Sequence, residues 1–421
     1  MTDQALKIVV ASSGLGHVSR GIEAWADDLA TALAERGFPV ILCKGGGIAE
    51  RPFERVVPCW QRESAKTKRL LRWLPRRLIW RFGLAGAYGI EQLTFAWRLI
   101  WLLRHEQAEI LHVQDSLVAR IVQRARSIGI VPTKTILANG TEEPLWVLRR
   151  IEYLQHLAPW HLEQARLAGV WKPKWTAIPN FIDTNWITPA RSDALRAELN
   201  IPLNGLVVLC AAAIRRKHKR IDYLISEFAR LREAAPDLPA YLVIAGGWEK
   251  DTDELIVEGT RLLGDRVRFL VRFPRSRMPD LYRAADLFVL SSLFEMQGIV
   301  LIEAAAAELA CITHDHPIFE WVMGPGGVRI NLEASGVLAG RLEELLRRPS
   351  ERQRLGALAR QHCLANFSRD AVVDQILAYY GVVTGRAPLT LPSPPRGEGN
   401  AGLPSSPREE GKEIHEARAC V

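Results

Sequence analysis

The most informative stretch of the sequence is Phe294-Glu295-Met296-Gln297-Gly298-Ile299-Val300-Leu301-Ile302-Glu303-Ala304, because it joins two elements of different kinds. The apolar run before it, residues 287–292, predicts a buried strand. The alanine-rich run 301–309 predicts a helix. Glu295 therefore lies in a strand-to-helix loop and Glu303 lies in the helix.

The helix start between these two glutamates predicts a phosphate site. Gly298 lets the backbone approach a ligand closely. The first N–H groups of a helix, here those of Ile299 and Val300, have no intrahelical acceptor and attract anions. Eight helical residues span about 12 Å, which matches the separation of a sugar ring and a ribose across a diphosphate. The pattern predicts a nucleotide-sugar pocket; alternatively, Glu303 is a surface helix residue and Glu295 a loop charge.

This segment resembles the E-x7-E motif of retaining glycosyltransferases with the GT-B fold, chiefly family 4. The resemblance implies an α/β protein of two facing Rossmann-like domains with a donor site in the cleft. It implies that Glu295 contacts the donor sugar, that Glu303 contacts the ribose, and that Gln297 and Gly298 belong to the donor loop. It also implies a UDP- or GDP-sugar as co-substrate, with no cofactor and no metal.

Basic residues in the second half form a candidate diphosphate clamp. The predicted strand 206–211 is followed by Arg215, Arg216 and Lys219 before a helix, and cations in such a loop suit a diphosphate. The stretch resembles the family's R-x4-K segment, which implies that Lys219 and Arg215, or else Arg216, neutralise the leaving group. The alternative is a solvated run of charges. Gly246, which closes the predicted strand 241–247, lies near the nucleotide base by the same resemblance.

The chain begins with a predicted strand 7–11, a loop containing Gly14 and Gly16, a helix from residue 21 and a strand 40–43. This order is typical of doubly wound sheets. The loop resembles the glycine-rich first loop of family 4, which implies a position near the donor phosphates. An ordinary tight turn is the alternative.

Three polar residues are candidates for contacts with the transferred sugar or the acceptor. His112 and Gln114 lie on one face of the predicted strand 109–115, so either could reach the cleft. The family often carries a histidine at the place of Gln114. Asn139 follows the predicted strand 133–138. The alternatives are a satisfied core histidine at 112 and simple turn chemistry at 139.

Residues 62–104 are basic and rich in tryptophan. Such helix-prone sequence suits an anionic membrane surface; the alternative is a core-packed helix pair with a solvated basic face. The positions are Arg62, Lys66, Lys68, Arg69, Arg72, Arg76, Arg77, Arg81, Arg98 and Arg104, with Trp73, Trp80, Trp97 and Trp101, against only Glu63 and Glu91.

Two patterns suggest metal ligands, and we assign a metal to neither. The D-x-D at residues 251–253 is better interpreted as a helix N-terminus. His314 and His316 lie in a loop and lack further residues at ligand spacing.

Bulk composition favours a cytoplasmic enzyme. The 421 residues, 48% of them hydrophobic, suffice for two domains. The six cysteines form no C-x-x-C pair and are typical of reduced thiols. We expect no cleavable signal peptide, and Arg98 interrupts the most apolar run. The net charge of +8 favours an anionic partner such as a nucleotide or lipid. Nucleic acid is disfavoured because no recognised motif is present.

Four segments are predicted. They are an acceptor-binding domain 1–182, a nucleotide-sugar-binding domain 183–367, a helix 368–383 that crosses back to the first domain, and a disordered low-complexity tail 384–421. The family resemblance implies a retaining transfer of sugar to an acceptor hydroxyl. We expect a lipid-linked or cell-envelope glycan such as lipopolysaccharide, glycosylated at the inner face of the cytoplasmic membrane. The alternative is an inactive sugar-nucleotide-binding or membrane-associated scaffold protein.

Overall fold

The first half of the chain forms a parallel sheet of seven strands. The computed structural model describes residues 6–18, 21–73 and 86–387. Across this sheet the strand order is β3-β2-β1-β4-β5-β6-β7, and every pair is parallel. The strands are β1 Ile8–Ser12, β2 Val40–Lys44, β3 Glu54–Val56, β4 Ile110–Val113, β5 Lys134–Asn139, β6 Tyr153–His156 and β7 Thr176–Ala177.

The second half forms a separate parallel sheet of six strands in the order β10-β9-β8-β11-β12-β13. Strand β8 has the bounds that the sequence predicts. The strands are β8 Leu206–Ala211, β9 Ala240–Gly246, β10 Val267–Val271, β11 Leu287–Val289, β12 Cys311–His314 and β13 Gly327–Ile330.

Helices cover both faces of each sheet, so the strands are buried on both sides and consist of near-continuous apolar runs. The helices of the first half are α1 Gly21–Glu35, α2 Ala65–Trp73, α3 Gly86–Glu106, α4 Ser116–Ser127, α5 Leu145–Leu148 and α6 Pro159–Leu167. Those that follow are α7 Ala194–Glu198, α8 Ile221–Ala234, α9 Thr252–Leu263, α10 Met278–Arg283, α11 Ile299–Ala306, α12 Pro317–Met323, α13 Val337–Arg347, α14 Pro349–Phe367 and α15 Arg369–Thr384.

The last helix, α15, returns to the first domain, as the sequence predicts. Its residues Val372 and Ile376 are fully buried in the core beneath α1. Arg36 at the end of α1 forms ion pairs with Asp370 at 2.8 Å and Asp374 at 2.5 Å. The predicted tail lies outside the described residues from position 388 onward. Among the helices of the described ranges, none combines the length and the apolar character that crossing a membrane requires.

Candidate functional site

The two motif-bearing loops of the second domain leave adjacent strands. Strand β8 leads into the loop 212–220 and β11 into the loop 290–298. The chain continues from β8 to one side of the sheet and from β11 to the other. Strands that diverge in this way open a crevice at their carboxyl ends, where α/β proteins bind ligands.

Lys219 and Glu295 form an ion pair across this crevice. Their side chains are 17% and 11% exposed, so the pair is largely shielded from solvent while still reaching it. The Ser291 hydroxyl donates a 2.6 Å hydrogen bond to the carbonyl oxygen of Lys219, which ties the two loops together. The loop also holds His218 and Arg220 at φ values of +72° and +50°, a region that residues other than glycine rarely occupy.

The two candidate arginines differ in their partners. Arg216 is committed to α9, because its guanidinium pairs with Glu258 at 2.6 Å. Arg215 has no carboxylate partner among the described residues, and its buried Nε atom has no acceptor there. Of these two arginines, Arg215 is therefore the one whose charge is available to a ligand.

Glu303 lies in α11 and is only 4% exposed. The Tyr282 hydroxyl donates a 2.6 Å hydrogen bond to its Oε2 atom. Burial raises the pKa of Glu303, and the hydrogen bond from Tyr282 and the charge of Arg275 act in the opposite direction. Arg275 itself pairs at 2.7 Å with Asp28 of α1, so the two domains touch beside this carboxyl group.

The start of α11 has the expected form. Gly298 precedes the helix at a φ of +83°, which favours glycine, and Ile299 and Val300 are half-buried in its first turn. Gln297 binds Asn180, which follows β7, the last strand of the first sheet. Its Oε1 accepts from the Asn180 N–H at 2.7 Å, and its Nε2 donates to the Asn180 carbonyl at 3.1 Å.

Close packing surrounds three of the predicted glycines. A Cβ atom on Gly14 would lie 2.2 Å from Oε1 of Glu23. One on Gly16, whose φ is +94°, would lie 2.1 Å from the Gly46 carbonyl oxygen. On Gly246 the Cβ atom would lie 1.8 Å from the carbonyl oxygen of the loop after β8. A side chain at Gly16 or Gly246 would displace backbone, whereas one at Gly14 would displace the Glu23 side chain.

His112 does not reach the cleft. It is fully buried, its Nδ1 lies 2.8 Å from the Tyr380 hydroxyl, and burial lowers its pKa to about 3. Its side chain points to the sheet face that α15 covers. His112 therefore lies in the core, which is the alternative to a contact with the sugar. Gln114 is buried and donates to Asn180 at 3.5 Å. Asn139 is buried at the end of β5, and its Oδ1 atom has no partner in the described part of the chain.

Sequence reasoning missed a buried ionic network beneath the Gly14 loop. Glu91 is fully buried and accepts hydrogen bonds from Arg62 Nη2 at 2.6 Å and from His17 Nε2, which lies 3.0 Å away. These contacts outweigh the desolvation that raises the pKa of Glu91 and lower it to about 2. The sequence predicts Arg62 on the membrane-facing surface, whereas its side chain is only 13% exposed and its guanidinium pairs with Glu91. The sequence feature that could have indicated this network is Glu91 itself, because residues 62–104 contain only two acidic residues.

The rest of the 62–104 segment includes a surface with exposed aromatic side chains. Leu93, Trp97 and Trp101 are spaced four residues apart on α3 and are 40%, 67% and 64% exposed. Trp73 at the end of α2 is 83% exposed. The remaining predicted positions Arg76, Arg77, Trp80 and Arg81 lie outside the described residues.

The two metal-like patterns have structural roles. Helix α9 begins at Thr252, with Asp251 before its first turn, as predicted. His316 Nδ1 accepts from the Ile318 N–H at 3.1 Å at the start of α12, and His314 Nδ1 accepts from the Leu332 N–H at 3.2 Å.

Comparison with known proteins agrees with this architecture. A sucrose-phosphate synthase structure from Thermosynechococcus elongatus superposes with a TM-score of 0.73 at 19% identity, over 90% of this chain and 99% of that one. Anabaena HepE in complex with UDP-glucose gives a TM-score of 0.68 at 15% identity, over 90% and 100% of the two chains. The TM-scores establish the fold, and at sequence identities this low they establish the fold alone.

Sequence comparison finds relatives of the second half of the chain. D-inositol 3-phosphate glycosyltransferase 1 of Catenulispora acidiphila is 33% identical over 215 residues, which are 47% of this chain and 49% of that protein. The chain thus spans about half the length of the curated relatives it matches. The family model "Glycosyl transferases group 1" matches residues 191–362. The chain therefore has the GT-B fold, and residues 191–362 are similar to the glycosyl transferases group 1 family.

Proposed function

We propose that this protein is a retaining glycosyltransferase that moves a sugar from a nucleotide-diphosphate sugar to an acceptor hydroxyl. The observation that carries the proposal is the meeting of Lys219, Glu295 and the start of α11 at the crevice between β8 and β11. The cations and the helix N-terminus suit a diphosphate, and the carboxylate suits the sugar hydroxyls beside it. A UDP- or GDP-sugar is the proposed donor, and HepE has been crystallised with UDP-glucose.

In the proposed reaction, the bond between the anomeric carbon and the donor phosphate oxygen breaks. The acceptor oxygen bonds to the same face of that carbon, and the departing phosphate oxygen takes the acceptor proton. Lys219 and Arg215 stabilise the negative charge that develops on the leaving diphosphate. Positive side chains thus provide the charge stabilisation without a metal, and no pair of protein carboxylates acts as acid and base.

The two glutamates have separate proposed roles. Glu295 accepts hydrogen bonds from the sugar hydroxyls, and its ion pair with Lys219 holds that carboxylate in place. Glu303 accepts from the ribose hydroxyls, with Tyr282 fixing one of its oxygens at 2.6 Å. With Glu295 at the sugar and Glu303 at the ribose, the two carboxylates fix the position of the donor along α11.

The acceptor is proposed to be a lipid-linked or cell-envelope glycan, which would place the enzyme at the inner face of the cytoplasmic membrane. The support is the surface formed by Leu93, Trp97, Trp101 and Trp73, whose large exposed apolar side chains suit a lipid interface. Lys66, Lys68, Arg69 and Arg72 of α2 add positive charge that would attract an anionic leaflet.

A thermal-shift screen of the full chain against UDP-, GDP-, ADP- and dTDP-sugars tests the donor. A ligand that binds only the native state raises the melting temperature by mass action. We expect one nucleotide class to raise it in the wild type and, at the same concentration, to raise it less in Glu303→Ala or Lys219→Ala. NMR of the product formed from that donor then reports the anomeric configuration, and an inverted product would overturn the retaining assignment.

A second candidate is a sugar-nucleotide-binding protein without transferase activity. It is favoured by the burial of His112 against Tyr380 and by Gln114 at the place where the related enzymes often carry a histidine. A donor that raises the melting temperature but is never consumed, with or without membrane fractions, would support this candidate over the transferase.

A further inference from the structure

A group of arginines lines a cavity of about 660 Å³ on the first domain. The cavity lies between α4 and the turn that follows α5. We call it the arginine pocket; its lining includes Arg120, Arg124, Arg126, Arg150, Gln123 and Glu152.

Positive charge in the arginine pocket is not balanced by the protein. Glu152, its one lining carboxylate, is already shared by Arg126 at 2.9 Å and Lys174 at 2.8 Å. Within the described ranges, Arg120, Arg124 and Arg150 have no carboxylate within ion-pair distance. Three unneutralised guanidinium groups around one concavity create a field that attracts a multiply charged anion.

An exposed tryptophan adjoins these arginines. Trp146 is 51% exposed, and the guanidinium carbons of Arg120 and Arg150 lie 5.9 and 5.4 Å from its ring centroid. Cation–π attraction keeps the two arginines beside the indole. An aromatic surface next to paired cations suits a ligand that carries both an apolar ring face and acidic groups.

The arginine pocket is separate from the donor crevice. Glu152 directly precedes β6, and Ser127 ends α4, so the cavity lies at the amino ends of the strands. The donor motifs lie at carboxyl ends. Helix α5 lies on the connection from the carboxyl end of β5 to the amino end of β6. Trp146 of α5 therefore lies between these two ends of the strands. A chain-like ligand that leaves the cleft over α5 would reach the arginines.

We propose that the arginine pocket binds an anionic saccharide, with its phosphate or carboxylate groups on Arg120, Arg124 and Arg150 and a sugar ring against Trp146. This proposal rests on the proposed function, in that the saccharide would be a part of the acceptor glycan remote from the reacting hydroxyl. Nucleic acid fits less well, because single strands need successive aromatic platforms. A lipid surface fits less well, because the cavity is concave and lined by polar side chains.

Isothermal titration calorimetry of the full chain tests the proposal. The probes are a hyaluronan tetrasaccharide, phosphorylated maltotetraose and neutral maltotetraose. We expect at least one anionic probe to bind and the neutral one not to. The Arg120→Gln/Arg150→Gln double variant and Trp146→Ala should each weaken binding about tenfold or more, whereas Arg261→Gln, at an exposed arginine of α9, should not.

Several results would overturn the inference: neither anionic probe binds, the neutral probe binds equally well, the Arg261→Gln control loses as much affinity, or an oligothymidylate of equal charge binds more tightly. Thermal shifts with nucleotide sugars in the same variants separate this failure from that of the proposed function. Intact donor binding without saccharide binding rejects only the arginine pocket. Saccharide binding without any donor binding rejects only the transferase.

Discussion

Replacing Lys219 by alanine removes one charge from the crevice and leaves Glu295 without its ion-pair partner. Because these side chains are 17% and 11% exposed, the change costs less than the breaking of a fully buried pair, and we expect a loss of unfolding free energy below about 3 kcal/mol. The effect on catalysis should be larger. A group that stabilises charge developing in the transition state contributes about 2.7–4 kcal/mol, so turnover should fall about 100- to 1,000-fold.

The assay is release of the nucleoside diphosphate from the donor identified by thermal shift, measured at saturating donor. Lys217→Ala is the matched control, because Lys217 is an exposed lysine in the same loop; its turnover should stay within about twofold of the wild type, as expected for a surface site. A Lys219→Ala protein that melts normally and turns over at the wild-type rate would refute the electrostatic role of Lys219.

Three further predictions concern single side chains. Tyr282→Phe removes the hydroxyl that fixes Glu303, and calorimetry should show about tenfold weaker nucleotide binding; unchanged affinity would show that Tyr282 does not position Glu303. Arg196 is fully buried and forms a 2.7 Å ion pair with Asp286. Arg196→Ala should lower the free energy of unfolding by about 3–5 kcal/mol in urea titrations, and a loss below about 1 kcal/mol would contradict that. Burial lowers the pKa of His156 from 6.5 to about 3, so the unfolded chain takes up this proton first as the pH falls. Stability should therefore be lost below about pH 6.5, by about 1.4 kcal/mol at about pH 5.5; His156→Gln should remove that part of the pH dependence, and an unchanged profile would exclude His156 as its source.

Local signals in the sequence were sufficient for the elements around the crevice between β8 and β11. The buried run before Glu295 and the alanine-rich run containing Glu303 form β11 and α11. The approach of Lys219 to Glu295 was also predictable in outline, because loops at the carboxyl ends of neighbouring parallel strands lie together. The close packing at Gly246 explains why that position requires glycine whether or not a ligand lies there.

Other contacts depend on tertiary packing that the sequence does not display. The orientation of His112 depends on α15, which begins more than 250 positions later and supplies Tyr380. The pairing of Arg62 with Glu91 joins residues on either side of a segment that looks uniformly basic. Periodicity identifies which strand residues share a face, but it does not tell whether that face meets the cleft or a helix.

We propose that a nucleotide-diphosphate sugar binds at the crevice between β8 and β11. Hydrogen–deuterium exchange of the full chain, with and without the donor identified by thermal shift, tests it most directly. We expect slower exchange in peptides covering residues 213–221 and 293–303 and unchanged exchange in the peptides of the arginine pocket. Protection confined to other parts of the chain, with these two loops unchanged, would contradict it.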